Sequence, residues 1–274
     1  MMKKNDCFTV KIEDMTTEGD GIGKVDGFPL FIKDTVVGDE VEIKVIKVKK
    51  TYGYGRMMRI LVPSPFRVDP PCPVARQCGG CQLQAMAYEK QLELKQKKVK
   101  ENLVRIGGLA DVKVEPVIGM EDPFRYRNKT QVPFGKNKEG KIVAGFYAGR
   151  THTIIDQEAC LLAQPVCRDI IHITKEFLEE FGIEPYDEQS HKGLVRHLLI
   201  RNGYFTGQIM VCVIINGTKL PHQEEFIRRM CEIPGMTSIS LNINRERTNV
   251  IMGKQMVWLY GTPYIEDKIG DITY

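Results

Sequence analysis

The chain reads as an α+β protein in two parts, a small all-β barrel followed by a mixed sheet domain with helices on one face. Three observations point there: short apolar runs between glycine turns up to residue 62, a proline-rich break after it, and mixed strand-like and helix-like periodicity from Val112 onward. With 274 residues the chain is long enough for two ordinary cores.

In chain order, the segment EGDGIGKVDGFPLFI sets Gly19, Gly21, Gly23 and Gly27 between apolar pairs, and DEVEIKVIKVKK alternates Val41, Ile43 and Val45 against Glu42 and Lys44. Five or so short strands over residues 1–62 predict a small closed barrel of the OB-like type. Gly19 to Gly23 is no phosphate loop, because no Gly-Lys-Ser/Thr ending and no long helix follow. Five prolines between Pro63 and Pro73 then break regular structure and open a loop over residues 63–83. Ala85, Tyr88, Leu92, Val99, Leu103 and Ile106 recur at three- and four-residue spacings among lysines and glutamines, which predicts an amphipathic helix within residues 84–110 with no obvious neighbour for its stripe. Over 111–274, IVAGFYA, HTIID, LVRHLLIR, TGQIMVCVII and SISLNIN read as strands, and Gln164–Phe181 and Pro221–Cys231 as helices. Cys167, Ile170, Thr174, Phe177 and Phe181 share one face of the first of these helices.

The amino terminus lacks an apolar h-region and no run of roughly 18 apolar residues offers a membrane span, so a cytoplasmic protein is expected, with no membrane partner. The net charge of +4 is unevenly spread. Ile43–Val68 holds seven basic residues and no acid, and Phe124–Arg150 holds seven against Glu139 alone. Such patches suit a polyanion, since each phosphate contact releases counterions; a solvated basic face is the alternative.

Cys72, Cys78 and Cys81 fall within ten residues of one another, spaced Cys-x5-Cys-x2-Cys, and Cys160 stands far downstream. Thiols stay reduced in the cytosol, so a tight cluster there points to metal or redox chemistry rather than disulfides. Zinc sites more often use two matched Cys-x2-Cys pairs, whereas cubane clusters commonly take three close cysteines and one remote. The spacing favours a [4Fe-4S] cluster, with zinc and unliganded thiols left open. Cys7, Cys167, Cys212 and Cys231 read as small hydrophobes, and His152, His191 and His197 as structural or surface residues, since none has a carboxylate and nucleophile at catalytic spacing.

These residues carry a resemblance. GDGIGKVDGFPLFIKDTVVGDEVEIKVIKVKK resembles a TRAM domain, and RVDPPCPVARQCGGCQLQAMAYEKQLELKQKKV, followed by FRYRNK, GFYAGRTHTIIDQEACLLAQP, GLVRHLLIR and YIEDKIGDITY, is similar to the 23S ribosomal RNA (uracil-5-)-methyltransferases. The resemblance implies a [4Fe-4S] cluster on Cys72, Cys78, Cys81 and Cys160, S-adenosylmethionine as cosubstrate, and methylation of a uridine of 23S ribosomal RNA at C5 through a cysteine–uracil adduct. Addition at C6 is needed because C5 of neutral uracil is a poor nucleophile, and the base must leave its stack to react. No Asp-Pro-Pro-Arg and no Gly-x-Gly-x-x-Gly occurs in the chain, so no catalytic or cofactor-binding residue is carried over.

The chain is accordingly expected to be a monomer that stops before the catalytic S-adenosylmethionine domain and is inactive alone. Residues 85–106 are then expected to pack on that domain, leaving the stripe from Tyr88 to Ile106 exposed. A stand-alone RNA-binding iron–sulfur protein without activity is the alternative. RNA contacts are expected from Lys24, Lys33, Lys49 and Arg56 on the barrel, with Tyr52 or Tyr54 for stacking, and from Arg125, Arg127, Asn128 and Lys129 in the central domain.

Overall fold

A computed structural model describes residues 2–149 and 151–274, so Arg150 of the second basic run lies outside the described residues. The chain divides into two compact units, residues 1–121 and 122–274.

The first unit is built on a closed barrel of order β1-β2-β3-β5-β4, formed by β1 (Cys7–Met15), β2 (Gly21–Val25), β3 (Phe28–Ile32), β4 (Glu40–Val48) and β5 (Gly53–Val62). Alternation does most of the work. Val10, Ile12, Leu30, Ile32, Val41 and Ile43 point inward and are at most 2% exposed, each contributing roughly 1.5–3 kcal/mol on burial. Asp26 and Gly27 both take positive φ (50° and 79°), the backbone of a two-residue hairpin turn between β2 and β3. The parallel β3–β5 pairing that closes the barrel brings Gly53 so near β3 that an added Cβ would lie 2.8 Å from Leu30 Cδ2.

Asp39, wholly buried, fastens the chain leaving β5 to the barrel. Its carboxylate accepts hydrogen bonds from Arg67 (2.5 Å from Nη2), Ser64 N (2.8 Å) and Val36 N (2.6 Å). Burial alone would raise its pKa, but these donors outweigh it and hold the carboxyl below the ordinary 3.8.

Helix α1 (Tyr88–Arg105) starts three residues later than the first apolar position of its stripe. The backbone before it is already paired with the proline-rich segment, Val68 N donating to Ala85 O and Ala87 N to Phe66 O. No residue of α1 is buried. Leu94 packs on the small cluster of Met15, Val36 and Met86, and an extended strap bonds along another side, with Gln96 Nε2 donating to Val114 O and Met120 N to Tyr88 Oη. The expected exposure of the stripe holds only in part: Val99 is 48% and Ile106 83% exposed, while Tyr88, Leu92 and Leu103 are half-buried.

The second unit is a seven-stranded sheet of order β12-β11-β10-β9-β6-β7-β8. It comprises β6 (Lys129–Lys136), β7 (Ile142–Tyr147), β8 (Ile154–Asp156), β9 (Val195–Asn202), β10 (Ile209–Ile215), β11 (Met236–Ile243) and β12 (Gln255–Gly261). Helices α2 (Val166–Glu180) and α3 (Gln223–Cys231) share a core with one sheet face: Ile170, Phe177 and Phe226 join Val132, Leu198, Val211 and Ile239 in one buried cluster. A short hairpin, β13 (Lys268–Ile269) with β14 (Ile272–Thr273), follows. No described helix is long and apolar enough to cross a membrane.

Candidate nucleic-acid interface

Register places the barrel's surface chemistry in rows. Ile22 pairs with Phe31, Phe31 with Tyr54 and Tyr54 with Lys47, so these four residues run across adjacent strands on the outer side, opposite the inward Leu30 and Ile32. The rings of Phe31, Tyr52 and Tyr54 form a three-way cluster with centroids 5.4–5.8 Å apart, an arrangement suited to stacking unpaired bases. Sequence reasoning named the two tyrosines and missed Phe31, although its place between inward Leu30 and Ile32 is the signal that marks it as outward. Lys33, Lys49 and Arg56 are exposed. Lys24 is paired with Glu13 at 2.9 Å, both half-exposed, a contact that solvent screens.

The 124–129 segment behaves differently from an alternating strand. Regular structure begins only at Lys129, and Arg125 takes a φ of 54°. The Arg125 guanidinium turns back to donate to Cys160 O (2.8 Å) and Ala163 O (3.0 Å), while the Gln164 amide donates to Arg125 O. The Arg125 side chain thus anchors the 160–163 turn, and Arg127 pairs with Ala163 beside it. Asn128 and Lys129 are exposed and open to a ligand.

Cys7, Cys72, Cys160, Cys167, Cys212 and Cys231 are free thiols. In the first unit, Cys72, Cys78 and Cys81 are half-buried on a loop held by tight turns, Ala75 N donating to Cys72 O and Cys78 N to Val74 O. Gly80 N donates to Cys78 Sγ at 3.3 Å. In the second unit, Cys160 is half-buried in the turn before α2. Among the described residues no group of three or more His, Cys, Asp or Glu is gathered as metal ligands would be. The donor set nevertheless suits a soft metal centre: thiols, one already accepting a backbone N–H as cluster sulfurs do. Cys167 and Cys212 are buried, and burial pushes both thiols up, which leaves them inert.

With this geometry in hand, residues 3–58 can be compared with known domains. They match the TRAM domain family. The whole chain is 46% identical to an uncharacterized RNA methyltransferase of Clostridium tetani and 48% identical to one of Halalkalibacterium halodurans, covering 100% of this chain and 59% and 60% of those proteins. The chain therefore spans about 60% of the length of these curated relatives. Among solved structures it is similar to the tRNA (uracil-54, C5)-methyltransferase of Pyrococcus abyssi in complex with S-adenosyl-L-homocysteine, with a TM-score of 0.70, 27% identity, and coverage of 97% of this chain and 58% of that one. The TRAM barrel is thus the part with a family match of its own, and the cysteine loop lies beyond it.

Proposed function

We propose that this chain serves RNA recognition in an S-adenosylmethionine-dependent RNA (uracil-C5)-methyltransferase whose substrate is 23S ribosomal RNA. The choice of 23S ribosomal RNA rests on the sequence resemblance alone; the observation that carries the uracil-C5 reading is the likeness, over 97% of the chain, to a tRNA (uracil-54, C5)-methyltransferase in complex with S-adenosyl-L-homocysteine. The TRAM match and the identity to RNA methyltransferases support it independently. In this reading the Phe31–Tyr52–Tyr54 cluster stacks unpaired bases while Lys33, Lys49 and Arg56 hold phosphates, with Asn128 and Lys129 adding contacts in the central unit. S-adenosylmethionine supplies the methyl group in such an enzyme. The open part of the α1 stripe, with Val99 and Ile106, is the face we assign to the methyl-transferring domain.

We further propose that Cys72, Cys78, Cys81 and Cys160 hold a [4Fe-4S] cluster whose chemistry here is structural, its iron–thiolate bonds fixing irregular backbone that has few bonds of its own. Iron and sulfide analysis after anaerobic purification tests this: about four of each per chain is expected, and zinc or no metal overturns it. Filter binding to 23S fragments across a salt series, with tRNA as competitor, tests the substrate. Steeply salt-dependent binding that tRNA does not displace is expected; salt-insensitive binding removes the phosphate contacts, and preference for tRNA moves the substrate.

A further inference from the structure

The second unit has an open cavity of about 690 Å³ between the β7–β8 hairpin, the 184–193 loop and the adjoining ends of β6 and β9. Its size is in the range of about 300–1,000 Å³ that holds small ligands. Two of its buried polar side chains lack a partner. His197, 6% exposed, has no hydrogen bond at Nδ1. Arg196, 5% exposed, donates to the carbonyls of Asn244, Glu246 and Thr248 and lies 4.4 Å over the Tyr186 ring, yet its Nε is unpaired. Leaving one such group unpaired costs about 1–3 kcal/mol; both atoms lie just behind the cavity surface, so the wall here is polar but not self-satisfied.

The lining also says what kind of ligand. Tyr147 and His152 face each other with ring centroids 5.4 Å apart, and Glu188 orients both, accepting from Tyr147 Oη (3.4 Å) and pairing with His152 Nδ1 (2.6 Å). Burial, and then the neighbouring Arg196, lowers the His197 pKa to about 4; burial, and then Glu188, pushes Tyr147 up to about 12. Both groups are neutral hydrogen-bonders at physiological pH. Glu184, Asp187 and Glu188 share the wall with Lys136, Lys138, Lys192 and Arg196, and Lys136 pairs with Glu184 at 2.5 Å, so the lining charges nearly balance and select neither a cation nor an anion. A flat, uncharged molecule with hydrogen-bonding edges fits.

We propose that this cavity takes one unstacked nucleobase of the bound RNA, stacked on Tyr147 and His152, with Arg196 and His197 in the wall beside it. The proposal rests on the RNA-binding reading above. The test uses the full chain with a single-stranded RNA. Ultraviolet crosslinking should attach a base to Tyr147 or His152, and Tyr147→Ala should weaken binding about 5- to 100-fold, the range for loss of one base–aromatic stack. With an abasic site at the crosslinked position, Tyr147→Ala and the parent should bind alike, which a merely structural role would not produce. His152→Ala, on an exposed side chain, gives the same comparison if Tyr147→Ala fails to fold. Crosslinks only outside this cavity, or unchanged binding of the intact RNA by both variants, overturn the proposal while salt-dependent binding leaves the RNA reading standing. Failure of the parent to bind any RNA overturns both.

Discussion

Each unit holds both saturated and unsaturated buried polar groups, Asp39 and Gln84 Oε1 in the first and Asp267 and His197 Nδ1 in the second, with the contrast plainest between Asp39 and the polar cavity wall. In the TRAM barrel, Asp39 is wholly buried and saturated, with Arg67, Ser64 N and Val36 N all donating to it. In the central unit, His197 Nδ1, Arg196 Nε and the Ser238 hydroxyl are buried without hydrogen-bond partners among the described residues. A saturated buried charge is a joint, since removing one side strands the other. An unsaturated buried atom costs its fold free energy even where, as in Arg196, the rest of the side chain is well bonded.

The sharpest way to break this contrast is Asp39→Ala. Arg67 would lose its carboxylate in a largely buried setting, so the barrel should lose about 3–5 kcal/mol, read as a lowered denaturation midpoint of the full chain. Acid should reproduce the effect in part. Because the folded pKa of Asp39 lies below 3.8, its stabilisation is complete above that value and is lost as pH falls through the lower, folded pKa. An Asp39→Ala variant with the parent's midpoint would end the claim that this carboxylate is a joint.

His197 tests the other side of the contrast. Its pKa is lowered from 6.5 to about 4, so the unfolded chain takes up a proton that the folded chain refuses. Stability should therefore fall as pH drops from about 6.5 toward 4, by up to about 3 kcal/mol. His197→Phe removes the titration and the unpaired nitrogen together. The variant should be as stable as the parent or more so at neutral pH, with the acid-side slope between 6.5 and 4 reduced in urea melts taken at several pH values. Strong destabilisation at neutral pH would show that His197 has a partner in the fold after all.

Much of this architecture was legible beforehand. The Val41–Ile43–Val45 alternation and the Cys167–Ile170–Thr174–Phe177–Phe181 stripe are local periodicities, and the structure buries all of these residues but Phe181, which is half-buried at the helix C-cap. Strand β12 was not legible, because as an edge strand its exposed and half-buried residues follow no period of two. The cysteine spacing showed a candidate donor set, but convergence of ligands is not a property of spacing. Arg125 read as a phosphate clamp because its partners, the Cys160 and Ala163 carbonyls, lie 35 and 38 residues away. The polar cavity was invisible for the same reason: His197 on β9 meets Tyr147 and Glu188 only when a hairpin and a loop fold over it, and one histidine in an apolar run reads as core.

The smallest expected effect separates charges that hold RNA from charges that hold the fold. Lys33 and Arg56 are exposed, and no described hydrogen bond or ion pair commits their side chains, whereas Arg125 is spent on backbone carbonyls. Lys33→Ala and Arg56→Ala should leave the denaturation midpoint unchanged. Each should weaken single-stranded RNA binding a few-fold and lower the slope of log affinity against log salt by about 0.7, the value for one phosphate contact on a single strand. Arg125→Ala should do the reverse, costing about 1–3 kcal/mol of central-unit stability through the loss of its bonds to the Cys160 and Ala163 carbonyls, of which the first keeps Ala163 N as a donor, and changing the salt slope little. If Arg125→Ala instead shifted the slope as Lys33→Ala does, its guanidinium would leave Cys160 and Ala163 to meet phosphate when RNA binds, and the division drawn here between joint and contact would fail in the central unit.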